Sequence, residues 1–226
     1  MKKMIFILFV MFGIKTYAQL PINNLYFDQV KSSLLLDSFR YKKSTTNNEI
    51  YLFESWYNSG RIVQDNKIYK LGSLNYNIRN DRFEAKFDQD SIFVINSPED
   101  VVVEVNNRKF KRFLDPDTKR STFFEVVANF KGGSIIIRHG LKVEEGPINP
   151  LTKETSGPDV LVKKEDYFYT KDTNSYLIKI KLNKKSIIDL IVESKKTEIQ
   201  KFAKGNKLKY TKVNDVAKIL KYYDSI

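Results

Sequence analysis

The sequence predicts an α+β domain in which an antiparallel β-meander of about ten strands is followed by three short amphipathic helices. Three observations predict it. From Ile50 onward, short runs rich in Ile, Val, Tyr and Phe alternate with polar pairs suited to tight turns. At Lys184 the apolar period switches from two to 3.6 residues and stays helical to the end. No low-complexity linker divides the two regions, so residues 19–226 read as one domain, about 49–181 forming the meander and 184–226 a helical tail packed on it. Local linkage of the strands fits two closures, a curled open sheet or a barrel-like roll.

At the start, Lys2 and Lys3 precede an uncharged apolar run from Met4 to Ile14, 11 residues long. A bilayer span needs ~20 residues, so this run suits a signal peptide better than an anchor. Thr16 and Ala18 put small side chains ahead of a cut, which predicts residues 1–18 as the signal and Gln19 as the new terminus. The expected product is periplasmic or secreted. With no cysteine it carries neither a disulfide nor a cysteine-linked lipid anchor. Residues 20–48 give no clear element: Leu34, Leu35 and Leu36 fit a short helix or a buried strand.

Turn residues set the hairpins. Asp65-Asn66 separates RIV from KIYKL, Asn80-Asp81 separates LNYNI from RFEAKF, and Asn106-Asn107 separates VVVEV from RKFKRF. Asn and Asp tolerate the positive φ that two-residue hairpin turns require. The alternation of basic and apolar residues from Arg108 to Phe113 predicts a strand with one wet face. Gly132-Gly133 and the Asp172 to Asn174 stretch mark two further hairpins. Between Val143 and Lys164, Gly146, Pro147, Pro150, Gly157 and Pro158 are too many breakers for a regular element, so a long loop is expected.

In the tail, Ile187, Ile188, Ile191 and Val192 share a helical face, with Ser186 and Asp189 spaced as a capping box. A second helix runs from about Ser194 to Gly205 around Ile199, Phe202 and Ala203. Val213, Val216, Ile219, Leu220 and Tyr223 define a third.

Composition removes several chemistries. With no Cys and one His, thiol nucleophiles, Cys-ligated metals and two-His metal sites are excluded, and no cofactor or metal is expected. His139 ends the run IIIRH, and with no GxSxG elbow it reads as a structural histidine. The remaining enzymatic route is a pair of carboxylates, for which Asp88, Asp90, Asp115, Asp117, Glu144 and Glu145 are the candidates on turns or strand ends. Asp115-Pro116-Asp117 also reads simply as a turn. Asp88 and Asp90 lack the glycine and distal Glu of a calcium loop. Trp56 and the many tyrosines read as half-buried strand residues.

Charge is more informative. The chain holds 39 Lys and Arg against 27 Asp and Glu, and residues 181–226 alone carry 12 Lys against 5 acids, a net of +7 with no Arg. Lys201 and Lys204 lie opposite Ile199, Phe202 and Ala203 on a helical wheel. Lys218 and Lys221 lie opposite Val216, Ile219 and Tyr223, and Lys207 and Lys209 fall in the connection. These six could form a face for an anionic envelope polymer, a lipid headgroup or an acidic protein partner, or simply a solvated surface; an all-lysine face disfavours bidentate phosphate recognition, and specific nucleic-acid binding is not expected.

The Ala18-Gln19 ending, the segments LFESWYNSGRIV from Leu52, KIYKL from Lys67 and RFEAKF from Arg82, DSIFVI from Asp90, and the tail KFAKGNKLKY from Lys201 leading to DVAKILKYY from Asp215 resemble a family of secreted or periplasmic Bacteroidota proteins with no assigned activity. The resemblance spans most of the mature chain and implies a cell-envelope or secreted location, without any catalytic residue to carry over. The expectation is a non-catalytic exported protein with a binding or structural role. The alternative is a secreted hydrolase using paired carboxylates.

Overall fold

A computed structural model describes residues 42–43, 48–86, 91–95, 97–147, 151–153, 155, 157–172 and 176–226. The signal segment, Leu34 to Leu36, Asp88, Asp90 and the turn residues Thr173 and Asn174 lie outside the described residues.

The architecture is α+β and mostly antiparallel. Strands β2 (Gly60–Gln64), β3 (Lys67–Leu71), β7 (Val102–Val105), β8 (Arg108–Leu114), β9 (Ser121–Phe130), β10 (Gly133–Glu144), β11 (Val160–Thr170) and β12 (Ile178–Ile180) form one sheet in the order β12-β11-β10-β9-β8-β7-β2-β3. Strands β4 (Leu74–Asn77), β5 (Arg82–Lys86) and β6 (Ser91–Val94) form a second, extended by the two-residue strand β1 (Lys42–Lys43). Among the described residues, eleven strands of three or more residues form, one more than the expected ten, because the four-residue run at β6 pairs with β5 as a strand in its own right. The large sheet is open, with β3 and β12 as its edges, so the barrel-like closure is excluded.

The meander is also interrupted. β2 pairs with β7, from Gly60↔Val105 to Val63↔Val102, because β4 to β6 leave the large sheet and lie against it. Every residue of β4 is buried, as are Phe83, Glu84 and Ala85 of β5, so these strands need cover on both faces and an edge position in the meander would leave one wet. Leu74, Tyr76 and Phe83 pack on Ile62, Val103, Phe110 and Phe123. The Phe83 ring lies 5.0, 5.3 and 4.9 Å from those of Tyr76, Phe110 and Phe123. Each such buried side chain contributes ~1.5–3 kcal/mol. Gly60 permits the approach, since a Cβ there would stand 2.7 Å from Leu74 Cδ2.

The asparagine turns form as the sequence indicates: Asp65, Asn66, Asn106 and Asn107 all have positive φ. The turn before β5 is longer than a pair, spanning Ile78 to Asp81, and only Asp81 of its Asn-Asp pair is left-handed. Gly133 at φ +137 pairs with Phe130, which makes Lys131-Gly132 the turn. The expected loop from Val143 to Lys164 is shorter, because β10 and β11 stay paired out to Glu144↔Val160 and the breakers collect beyond that rung. The single wet face expected for β8 is corrected too. Phe110 belongs to the core under the second sheet and Phe113 to a cluster on the opposite face with Phe124, Ile136 and Phe168.

Helices α1 (Lys184–Ile188), α2 (Glu193–Gly205) and α3 (Val213–Asp224) close the chain. Ile187, Ile191, Ile199, Ala203, Val216, Ile219 and Leu220 pack on Phe130 and Ile135 of the large sheet. The α1 cap is Asn183, whose Oδ1 accepts the Ser186 N–H at 2.9 Å, in place of a Ser186-Asp189 box. Val192 is exposed as the residue preceding α2, so it leaves the face shared by Ile187, Ile188 and Ile191.

Candidate functional site

α2, α3 and the connection between them present the six lysines singled out by charge. Ile199 and Ala203 face the core on α2, which turns Lys201 and Lys204 outward; Val216, Ile219, Leu220 and Tyr223 do the same for Lys218 and Lys221 on α3. Lys207 and Lys209 are exposed in the connection. Lys207 holds φ 56 and ends α2: its N–H donates to the Lys204 carbonyl at 3.1 Å and the Leu208 N–H to that of Ala203 at 2.9 Å. This is a Schellman closure with lysine where glycine is usual. Among the described residues none of the six lysines forms an ion pair. The helical pairs are Lys195 with Glu198 at 3.3 Å and Lys196 with Glu193 at 2.7 Å. Phe202 and Tyr222 stack with centroids 3.8 Å apart and planes 7° from parallel, fixing α2 on α3. Between α3 and β9 runs an open groove of about 280 Å³ lined by Val127, Ala128, Asn129, Ala217, Lys218 and Lys221.

The candidate carboxylates are placed differently. Asp115 is 2% exposed, and both its oxygens accept from Arg138 Nη1, at 2.8 and 2.7 Å. Asp117 and Asp166 accept from Nη2 of the same guanidinium at 2.7 and 2.8 Å, and Lys179 reaches Asp166 at 2.8 Å. Asp115 and Asp117 therefore meet, but on a cation. Burial alone would raise the Asp115 carboxyl; the Arg138 bonds and the Asp117 N–H outweigh it and hold the group below its ordinary range. Asp166, likewise raised by burial but bonded to Arg138 and Lys179, is held at about 2. Glu144 is exposed, 3.6 Å from Lys142, and Glu145 is exposed in the loop.

His139 is buried on β10 in a network that the sequence did not disclose. Its Nε2 lies 2.7 Å from Glu125 Oε2 and 3.1 Å from Arg108 Nη2, and Nδ1 lies 3.8 Å from Glu165. Arg108 also donates to Glu125 through Nε at 2.7 Å, and its guanidinium sits over Phe53. Burial pushes the Glu125 carboxyl up, but the bonds from His139 and Arg108 win and hold it at about 2. Such a carboxylate is a poor general base, which works best near the ambient pH. Asp81 is the described carboxyl pushed upward: burial outweighs the Phe123 N–H, the Tyr76 hydroxyl and Arg112. It has no second free carboxylate among the contacts that hold it.

The signal for these networks was the choice of cation. On β8, Arg108 and Arg112 point to the covered face while Lys109 and Lys111 take the other. A planar fork suits buried carboxylates, and a lysine stem suits water. Among the described residues no group of three or more His, Asp and Glu is arranged to hold a metal. The chain matches no family model, no curated protein and no solved structure.

Proposed function

We propose that the chain is a non-catalytic exported protein, secreted or held in the cell envelope, that binds an anionic envelope polymer or an acidic protein partner through Lys201, Lys204, Lys207, Lys209, Lys218 and Lys221. One observation carries the reading: among the described residues, six exposed cations without an ion-pair partner stand on α2, α3 and the connection between them, with the two helices locked to each other and to the sheet. Arg138 and Arg108, by contrast, are consumed by internal carboxylates. A hydrolase would need two free carboxyls on one cleft. Asp115 and Asp117 meet on Arg138 instead. No described helix is long and apolar enough to cross a membrane.

The test is retention on heparin, lipopolysaccharide and DNA across a salt series. Lys201, Lys204, Lys218 and Lys221 changed together to Gln should weaken binding at least about tenfold at 0.1 M salt without lowering stability, because exposed lysines contribute little to folding. Wild-type binding should fall as the Debye length shrinks from ~10 Å at 0.1 M to ~3 Å at 1 M. Equal retention of wild type and variant at every salt concentration would reject the reading. Export itself is tested by the mass of the released protein, which should begin at Gln19.

A further inference from the structure

The groove beside α3 narrows the partner class, and this step rests on the binding role proposed for the lysine face. Its floor is Val127, Ala128 and Ala217, small aliphatic side chains with no aromatic ring. Its polar side chains are Lys218, Lys221 and Asn129. The Asn129 Oδ1 already accepts the Ser134 hydroxyl at 2.7 Å, which leaves the amide NH₂ turned to donation. Side-chain donors therefore dominate the lining, and no carboxylate is among them. Val127 is the extra residue of a β-bulge, since Ile135 pairs with Ala128 and Ile136 with Val126. Bulges re-aim side chains next to functional sites.

A sugar ring needs several acceptors for its hydroxyls as well as donors, and commonly an aromatic face; this groove is lined by no aromatic ring and by a single side-chain acceptor, the Asn129 amide oxygen, which already holds the Ser134 hydroxyl. A phosphate polymer would use the lysines but gain nothing from the aliphatic floor. An extended peptide with an acidic and an aliphatic side chain two residues apart, and therefore on one face, uses both, because the carboxylate reaches the ammonium groups while the aliphatic methyl groups cover the floor. We infer that the groove is the anchoring subsite of the lysine face. Its occupant is an extended acidic segment of a partner protein, with one Asp or Glu carboxylate between Lys218 and Lys221 and an aliphatic side chain two residues along, on the same face, against Val127, Ala128 and Ala217. Lys201 and Lys204 supply further charge outside the groove.

The experiment is fluorescence anisotropy of the mature chain with a labelled peptide repeating Glu-Ser-Val-Ser, which sets Glu and Val on one face when extended, beside its counterpart with Gln for Glu and labelled heparin. The Glu peptide should bind at least about tenfold more tightly than the Gln peptide. Ala217→Leu, which fills the groove with a good helix former, should cost the Glu peptide about tenfold, with circular dichroism confirming the fold. Lys218→Glu, exposed and harmless to packing, should do the same if Ala217→Leu disturbs α3. Lys201→Gln with Lys204→Gln should cost it less than either. A Glu peptide that binds equally well to wild type, Ala217→Leu and Lys218→Glu overturns the inference. So does heparin binding without any peptide binding, an outcome that leaves the lysine face standing. Binding of neither ligand overturns both.

Discussion

Replacing Glu125 with Gln keeps the shape of the side chain and removes the charge that Arg108 and His139 enclose. An unfolded glutamate titrates near about 4.3, and the folded carboxyl is held at about 2. At about 1.36 kcal/mol per tenfold in proton affinity, the difference corresponds to about 3 kcal/mol. Solvent at Arg108, whose side chain is 32% exposed, screens the interaction and lowers the expectation to about 2–3 kcal/mol. Because the folded value is the lower one, this stability is fully present above about pH 4.3 and is lost as the pH falls through about 2. Glu125→Gln should therefore cost about 2–3 kcal/mol at pH 7 and progressively less from pH 4 to pH 2, where the wild-type side chain becomes neutral as well. Trp56, the single tryptophan, packs edge-on against Tyr51 at 4.7 Å and reports urea unfolding by fluorescence. A penalty below about 1 kcal/mol at pH 7, or one that stays constant from pH 5 to pH 2, refutes the assignment of a charged structural Glu125.

Arg138→Met strands buried Asp115 and partly buried Asp166, so it should cost about 3–5 kcal/mol in the same urea assay. Lys179→Ala, at a mostly exposed lysine, should cost less than about 1 kcal/mol. Phe83→Ala opens a cavity among Tyr76, Phe110 and Phe123 and should cost about 3–5 kcal/mol, again read from the urea midpoint. Lys207→Gly should raise the melting temperature by relieving a left-handed lysine, a gain of about 0.5–1 kcal/mol, whereas Lys207→Val should lower it.

What the sequence disclosed and what it withheld divide along physical lines. A left-handed backbone leaves a chemical mark, so Asp65-Asn66 and Asn106-Asn107 were legible as turns. Helical periodicity is equally local, and it located α2, α3 and the outward direction of their lysines. Pairing between strands distant in sequence leaves no such mark. Asn75 and Asn77 look like residues of a wet strand, yet both are buried. Asn75 bonds to the Phe53 backbone in both directions, at 3.1 and 2.8 Å, and Asn77 donates to Glu84 at 3.1 Å. Nothing in a run such as LNYN announces partners 22 residues upstream. The candidate acids show the same limit, since the guanidinium that occupies Asp115 comes from 23 residues further along. The groove was invisible because it depends on a bulge in β9 meeting a flank of α3.

The pairing of β2 with β7 fixes an order of assembly. Hairpins β2–β3, β7–β8, β8–β9 and β10–β11 join neighbours in the chain and can form early, but the β2–β7 ladder must wait until the whole stretch between Val63 and Val102 has doubled back. Closing a flexible loop of that length costs about 3 kcal/mol of chain entropy before any rung forms. The β4–β5 hairpin acts as a splint: by folding first it shortens the path, and its Leu74 side chain already carries the surface that Gly60 receives. Until then the β2–β3 hairpin has no sheet to join and the inner edge of β2 stands open. Between the completion of that hairpin and the arrival of β7, β2 presents an unpaired edge of the kind that can pair with another chain.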